Sequence, residues 1–262
     1  MKQIAAILLA LLLISASVGL AADERIGLSD VIKTLETPFK IDAVGARGTA
    51  SSAIVDFEAD FFQESRLESL DRLQRGRGRV AVLFDRTLTD RVPLTMFYWE
   101  YDQPTTQEII SDGKTLWVYL PENAQVIESQ IDFTSRERAD DPTTFLTGLG
   151  NISRDFLITW AEPNQDVEGN YILELRPRRT AAMMQQMQIV VDRDAVLAYT
   201  RSGVTGNILP ILASTVTDPN GNRTTIEFSN VRVNRGLSSS RFRFILPAGV
   251  EVLRPTGSEM GF

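Results

Sequence analysis

Ala53-Ile54-Val55-Asp56-Phe57-Glu58-Ala59-Asp60-Phe61 alternates without a break. Ala53, Val55, Phe57, Ala59 and Phe61 share one face, and Asp56, Glu58 and Asp60 share the other, which is the period of two that a half-buried β-strand imposes. The same pattern returns downstream. Gly76-Arg77-Gly78-Arg79-Val80-Ala81-Val82-Leu83-Phe84 reads as the next long strand, and Phe97-Tyr98-Trp99-Glu100-Tyr101 sets Phe97, Trp99 and Tyr101 against Tyr98 and Glu100. Asp102-Gln103-Pro104 then breaks the chain before Gln107-Glu108-Ile109-Ile110, and Ser111-Asp112-Gly113-Lys114 supplies an Asp-Gly hairpin turn into Thr115–Leu120. Strands joined by so few residues are antiparallel neighbours.

Pro121-Glu122-Asn123 turns into a further strand over Gln125–Phe133. Strand patterns follow at Phe156–Trp160, Tyr171–Leu175, Met187–Asp192, Val196–Ser202, Thr224–Phe228 and Phe242–Leu246. Asp192 and Asp194, which flank Arg193, read as a hairpin, and Asp218-Pro219-Asn220-Gly221-Asn222 reads as a turn without the ligand spacing of a calcium loop. Two segments read as helices. Leu28, Val31, Ile32 and Leu35 recur at helical spacing within Ser29–Lys40, with Ser29 or Asp30 as cap. Asp141-Pro142-Thr143-Thr144-Phe145-Leu146-Thr147-Gly148 has an acidic start, Pro in the first turn and a closing Gly. About eleven short strands with two or three brief helices predict a mainly β fold, a sandwich or barrel with helical additions.

Composition narrows the function. The 262-residue chain has no His and no Cys, so thiol nucleophiles, Ser-His-Asp triads, His/Cys zinc sites and disulfides are excluded. A formal charge of −7 and a pI near 4.9 disfavour nucleic acid as a partner. No acid pair points to catalysis: Asp140-Asp141 is placed to cap a helix, and a glycosidase needs two converging carboxylates. The reading is therefore of a non-enzyme that needs no cofactor and no metal. Residues 1–21 have the charged start, apolar core and small-residue cleavage site of a signal peptide, ahead of a single domain over 22–262. The Arg75–Arg79 stretch reads as a solvated strand face. So few helices leave much of the apolar sheet face without cover, which favours a ligand-holding curved sheet over a filled core.

Four blocks carry a resemblance. Phe57-Glu58-Ala59-Asp60-Phe61-Phe62-Gln63, Phe97 through Pro104, Ser111-Asp112-Gly113-Lys114-Thr115-Leu116-Trp117-Val118-Tyr119 and Phe242 through Val252 occur in order. Together they resemble the periplasmic outer-membrane lipoprotein carrier (LolA-like) family. The resemblance implies an unclosed antiparallel β-barrel with a short helical lid, working as a monomer in the periplasm. It implies a cavity that shields the acyl chains of lipoproteins, taken from an inner-membrane ABC lipoprotein-releasing transporter and passed to an outer-membrane lipoprotein acceptor. Carried over by position, Phe57, Phe61, Phe97 and Trp99 line the cavity, and Phe145, Leu146 and Leu149 belong to the lid. The lid latch falls on Arg91, with Arg86 as the second candidate. The alternative is a related lipid-binding or lipoprotein-sensing half-barrel.

Overall fold

The computed structural model describes residues 26–40, 53–86, 94–130, 149–179 and 184–254. In chain order these form helix α1 (Leu28–Glu36), strands β1 (Asp56–Leu67), β2 (Arg72–Asp85), β3 (Leu94–Gln103), β4 (Gln107–Ser111), β5 (Thr115–Leu120) and β6 (Gln125–Gln130), and helix α2 (Ile152–Asp155). Strands β7 (Phe156–Gln165), β8 (Tyr171–Pro177) and β9 (Gln186–Val191), helix α3 (Arg193–Ser202), and strands β10 (Ile211–Thr217), β11 (Arg223–Val233) and β12 (Glu251–Leu253) complete them.

All twelve strands belong to one sheet, in the order β12-β6-β5-β4-β3-β2-β1-β11-β10-β9-β8-β7. Its outermost strands, β12 and β7, are not paired with each other, so the sheet is an unclosed half-barrel as expected. Every pairing is antiparallel except β12 with β6, which is parallel. The alternation seen in the sequence sorts the two faces. Phe57, Ala59 and Phe61 of β1, Val80 and Val82 of β2, and Phe97 and Trp99 of β3 are buried on the inner face. Val31 and Leu35 of α1 and Val196 of α3 join them in a single core. Helix α1 starts at Gly27, whose N–H is accepted by the Asp30 carboxylate, so Asp30 does cap, though from the third helical position. The α1 and α3 helices are linked by a hydrogen bond between the Thr37 and Tyr199 hydroxyls (3.1 Å).

Two hairpins share one turn design. Asp166-Val167-Glu168-Gly169-Asn170 joins β7 to β8, and Asp218-Pro219-Asn220-Gly221-Asn222 joins β10 to β11. In both, the Asp Oδ1 accepts the backbone N–H groups two and four residues on, the Asn Nδ2 donates to Oδ2, and Gly sits at φ +85°. Each Asn then lends its remaining oxygen to a neighbour. Asn170 Oδ1 accepts the Arg193 N–H at the start of α3 (3.1 Å), and Asn222 Oδ1 accepts the Glu68 N–H between β1 and β2 (3.0 Å). One short motif therefore closes a hairpin and docks the adjacent connection. The Ser111–Lys114 turn is closed differently, with Asp112 Oδ1 accepting the N–H groups of Lys114 and Thr115. Gly113 there has φ +87°, and a Cβ would lie 2.5 Å from Leu94 Cγ. Gly113→Ala is expected to cost about 2 kcal/mol through the positive φ and this overlap, read as a lower urea midpoint. An unchanged midpoint would show that Leu94 simply yields.

Three expectations need correction. Val196–Ser202 is not a strand but most of α3. The Asp192 side chain accepts the Ala195 N–H (2.7 Å) as N-cap, and Gly203 closes the helix in the left-handed region, so Asp192–Asp194 is a helix start rather than a hairpin. Phe242–Leu246 is also not a strand: it has no ladder partner and belongs to a strap across the outer face. Phe242 is buried against Ala81, Leu83 and Met96, and Phe244 stacks on Trp117 (6.0 Å between ring centres) before β12 reaches β6. Lastly, Val55 is 40% exposed and Asp56 is 1% exposed, the reverse of the expected burial: Asp56 keeps the outer face, opposite Leu83, but is covered there because it holds the start of that strap. Strand β10 carries no clear alternation and had escaped the sequence pattern altogether.

Candidate functional site: the aromatic inner face

Four strands supply the inner-face aromatics. Phe61 of β1 meets Trp99 of β3 edge-on at 4.9 Å between ring centres, and Phe228 of β11 lies 6.2 Å from both Trp99 and Phe57. Phe84 of β2 continues the chain to Phe39, just after α1, at 5.1 Å. The strands bring these rings together because β1 pairs with both β2 and β11, and β2 pairs with β3, in registers that keep the same parity inward. Phe97 lies opposite Val82 and is buried in the same core. Of the expected cavity residues, the structure thus gathers Phe57, Phe61, Phe97 and Trp99, each no more than 3% exposed. It adds Phe39, Phe84 and Phe228, which the sequence reading had not singled out. Phe228 had the right signal, since it shares parity with Ile226 in an alternating run.

The inner face changes character along β1 and β3. At the β1–β2 connection end it is polar: Tyr101 donates its hydroxyl to Gln63 Oε1 (2.7 Å), Gln63 Nε2 donates to Ser65 Oγ (3.2 Å), and Ser65 meets Thr224 (3.1 Å). Next come Phe61, Trp99 and Phe228, then Phe57, Val82 and Phe97. At the far end Arg86 donates through Nη2 to the carbonyls of Pro38 (2.9 Å) and Ile54 (3.0 Å), tying the end of α1 to the lead-in of β1. Burial lowers the pKa of its guanidinium from the ordinary arginine value, and its Nε and Nη1 are buried without an acceptor among the described residues. The Arg-Gly-Arg-Gly-Arg stretch divides as expected. Arg75, Arg77 and Arg79 are exposed, with Arg79 paired to Glu100 (3.0 Å), while Gly76 and Gly78 face inward, where the Tyr101 ring lies over Gly76.

Arg91, Phe145 and Leu146 lie outside the described residues, as do Asp141–Gly148. Leu149 is described and is buried in the main core. The segment that follows it is anchored to α1 by Glu36, whose Oε1 accepts both the Ser153 N–H (2.7 Å) and the Ser153 hydroxyl (2.6 Å).

The described residues thus form an unclosed antiparallel half-barrel, apolar and aromatic within and partly covered by two short helices. The family profile described as "Outer membrane lipoprotein carrier protein LolA" matches residues 52–245, and the chain belongs to that family. An outer-membrane lipoprotein carrier protein of Chromobacterium violaceum is 32% identical over 157 residues, which is 60% of this chain and 66%, just under two thirds, of that protein. One from Nitrosomonas europaea is 26% identical over 220 residues, 84% of this chain and 93% of that protein. Among solved structures, a LolA superfamily protein from Nitrosomonas europaea is 13% identical with a TM-score of 0.40, covering 84% of this chain and 98% of that one.

Proposed function

We propose that this protein is a periplasmic carrier that shields the acyl chains of lipoproteins released by an inner-membrane ABC transporter and delivers them to an acceptor at the outer membrane. The observation that carries this reading is the inner face itself, where Phe57, Phe61, Phe97, Trp99 and Phe228 form one aromatic and aliphatic surface bounded by a polar end. The need for such a surface is energetic. Each acyl CH₂ left in water costs about 0.8 kcal/mol, so the chains of one lipoprotein amount to tens of kcal/mol. A carrier offsets that cost by burial and still has to release its cargo.

The packing of the inner face suits release. These rings are shielded from water by one another and by α1 and α3, so the protein without cargo already satisfies its own apolar surface. Cargo displaces those contacts, and their return favours expulsion. Only the difference between the two sets of contacts then appears as affinity. Closure is controlled through Arg91, carried over as the lid latch, with Arg86, which ties the end of α1 to the β1 lead-in, as the second candidate for that role.

Native mass spectrometry of the protein purified from periplasm tests the proposal: bound acylated peptide or lipid is the expected result. Lipid-free protein that also fails to bind an apolar fluorescent probe would reject carriage. The latch has its own test. Arg91→Leu is expected to slow lipoprotein transfer to outer-membrane vesicles severalfold while the thermal midpoint stays within a few degrees. Transfer at the normal rate would remove Arg91 from that role.

A further inference from the structure

We infer that the indole N–H of Trp99 is the donor that receives an ester carbonyl oxygen at the base of the cargo's acyl chains. This rests on the carrier reading and names the polar contact within it. Trp99 is 2% exposed, and its Nε1 is buried with no acceptor among the described residues. Buried tryptophan N–H groups ordinarily find a partner, and one left unpaired loses its hydration with nothing in return. Two other aromatic donors are paired, with Trp117 Nε1 donating to Glu128 (3.3 Å) and the Tyr101 hydroxyl to Gln63 (2.7 Å). Packing alone does not call for the nitrogen, because the partners of the Trp99 ring are Phe61 and Phe228.

Its position along the inner face says what it meets. Tyr101 belongs to the polar end with Gln63, Ser65 and Thr224, and Trp99 is the next inward-facing residue of β3, about 7 Å further in at two residues of strand rise. Beyond it the face is hydrocarbon. A lipid that enters tails first from the polar end has the same order of polarity, with its headgroup outermost, then the ester carbonyls, then methylenes. The chemistry also selects among acceptors. A carboxylate or phosphate would carry an uncompensated charge into apolar surroundings, and an amide would bring an N–H that is itself unpaired there. An ester carbonyl accepts one hydrogen bond and brings no donor.

The test compares two synthetic cysteine peptides of equal chain length, one bearing a dipalmitoyl-glyceryl diester and the other the dihexadecyl diether, each displacing a fluorescent fatty probe. The unaltered protein is expected to bind the diester about tenfold more tightly than the diether. Trp99→Phe is expected to abolish the preference, bringing the ratio of the two affinities to about one, with any loss of apolar contact from the smaller ring weakening both lipopeptides alike. A second readout needs no change at Trp99: its ¹⁵N-indole proton resonance, assigned with Trp117→Phe and Trp160→Phe, should move downfield with the diester and not with the diether. Equal affinities in the unaltered protein, or an ester preference that survives in Trp99→Phe, would overturn the assignment and leave carriage standing. Failure of both lipopeptides to bind the unaltered protein would overturn the carrier reading, and this contact with it.

Discussion

Gly78→Ala is expected to destabilise the protein by about 4 kcal/mol, which for a domain of ordinary stability leaves a large unfolded fraction. A Cβ at Gly78 would overlap the Glu100 carbonyl oxygen and lie 2.8 Å from its carbonyl carbon and 2.9 Å from Tyr101 Cα. All three are backbone atoms of β3, so no side-chain rotation relieves the overlap. The ladder between β2 and β3 already shifts register between Arg77 and Gly78, and the glycine is what allows the two backbones to approach there. Gly76→Ala is the control. Its Cβ would lie 3.2 Å from the Gln103 backbone oxygen, a shortfall of only a few tenths of an ångström, and 3.3 Å from the Tyr101 ring, which can move, so a cost of about 1 kcal/mol is expected. Urea unfolding followed by circular dichroism measures both. Similar midpoints for the two variants would show that the close approach at Gly78 is not a constraint. The consequence reaches the candidate site, because β3 carries Phe97 and Trp99 and its spacing from β2 sets where they point.

The second large effect belongs to Asp56. Its buried carboxylate accepts three consecutive backbone N–H groups, Arg235 on Oδ1 (2.7 Å) and Gly236 and Leu237 on Oδ2 (2.9 and 3.2 Å). Its own carbonyl accepts the Asn234 N–H (2.8 Å), and Asn234 in turn bonds back to Val55 and Ala53. This clamp turns the chain out of β11 and starts the strap over the outer face. Asp56→Ala removes three charge-assisted hydrogen bonds and leaves three partly buried donors without their acceptor, an expected loss of about 3–4 kcal/mol. Asp56→Asn keeps one acceptor oxygen and should fall between. Hydrogen–deuterium exchange adds a local signature, since amides from Arg235 to Leu253 should exchange faster in the variant than those of β8 and β9. Uniform protection, or an unchanged midpoint, would mean that the strap is held by Phe242 and Phe244 alone.

Much of the candidate site was legible in the sequence. Phe57, Phe61, Phe97 and Trp99 share the parity that fills an inner face, and the structure buries all four in one core. Phe84 and Phe39 were harder to see, because Phe84 ends a run and Phe39 follows Pro38 at the tail of the segment that reads as a helix. Their roles depend on the packing of the segment after α1 against β2, where Phe39 meets Phe84. The same limit explains α3. The Asp192 cap and Gly203 stop were both present, but a short run containing Val196, Leu197, Tyr199 and Thr200 also suits a strand, and its burial against α1 decided the matter.

The sequence by itself determined the strands of the half-barrel from β1 to β5, the inward parity of their aromatics, the Asp218–Asn222 turn and the excluded chemistries. These are set by neighbours within a few residues or by which side chains exist at all. Only the tertiary structure decided that Phe242 and Phe244 belong to a strap, that Asp56 is buried, and that the Trp99 N–H has no acceptor among the described residues. Alternation records that every second side chain is shielded from water, whereas the partner that shields it, or accepts its hydrogen bond, comes from chain tens to well over a hundred residues away.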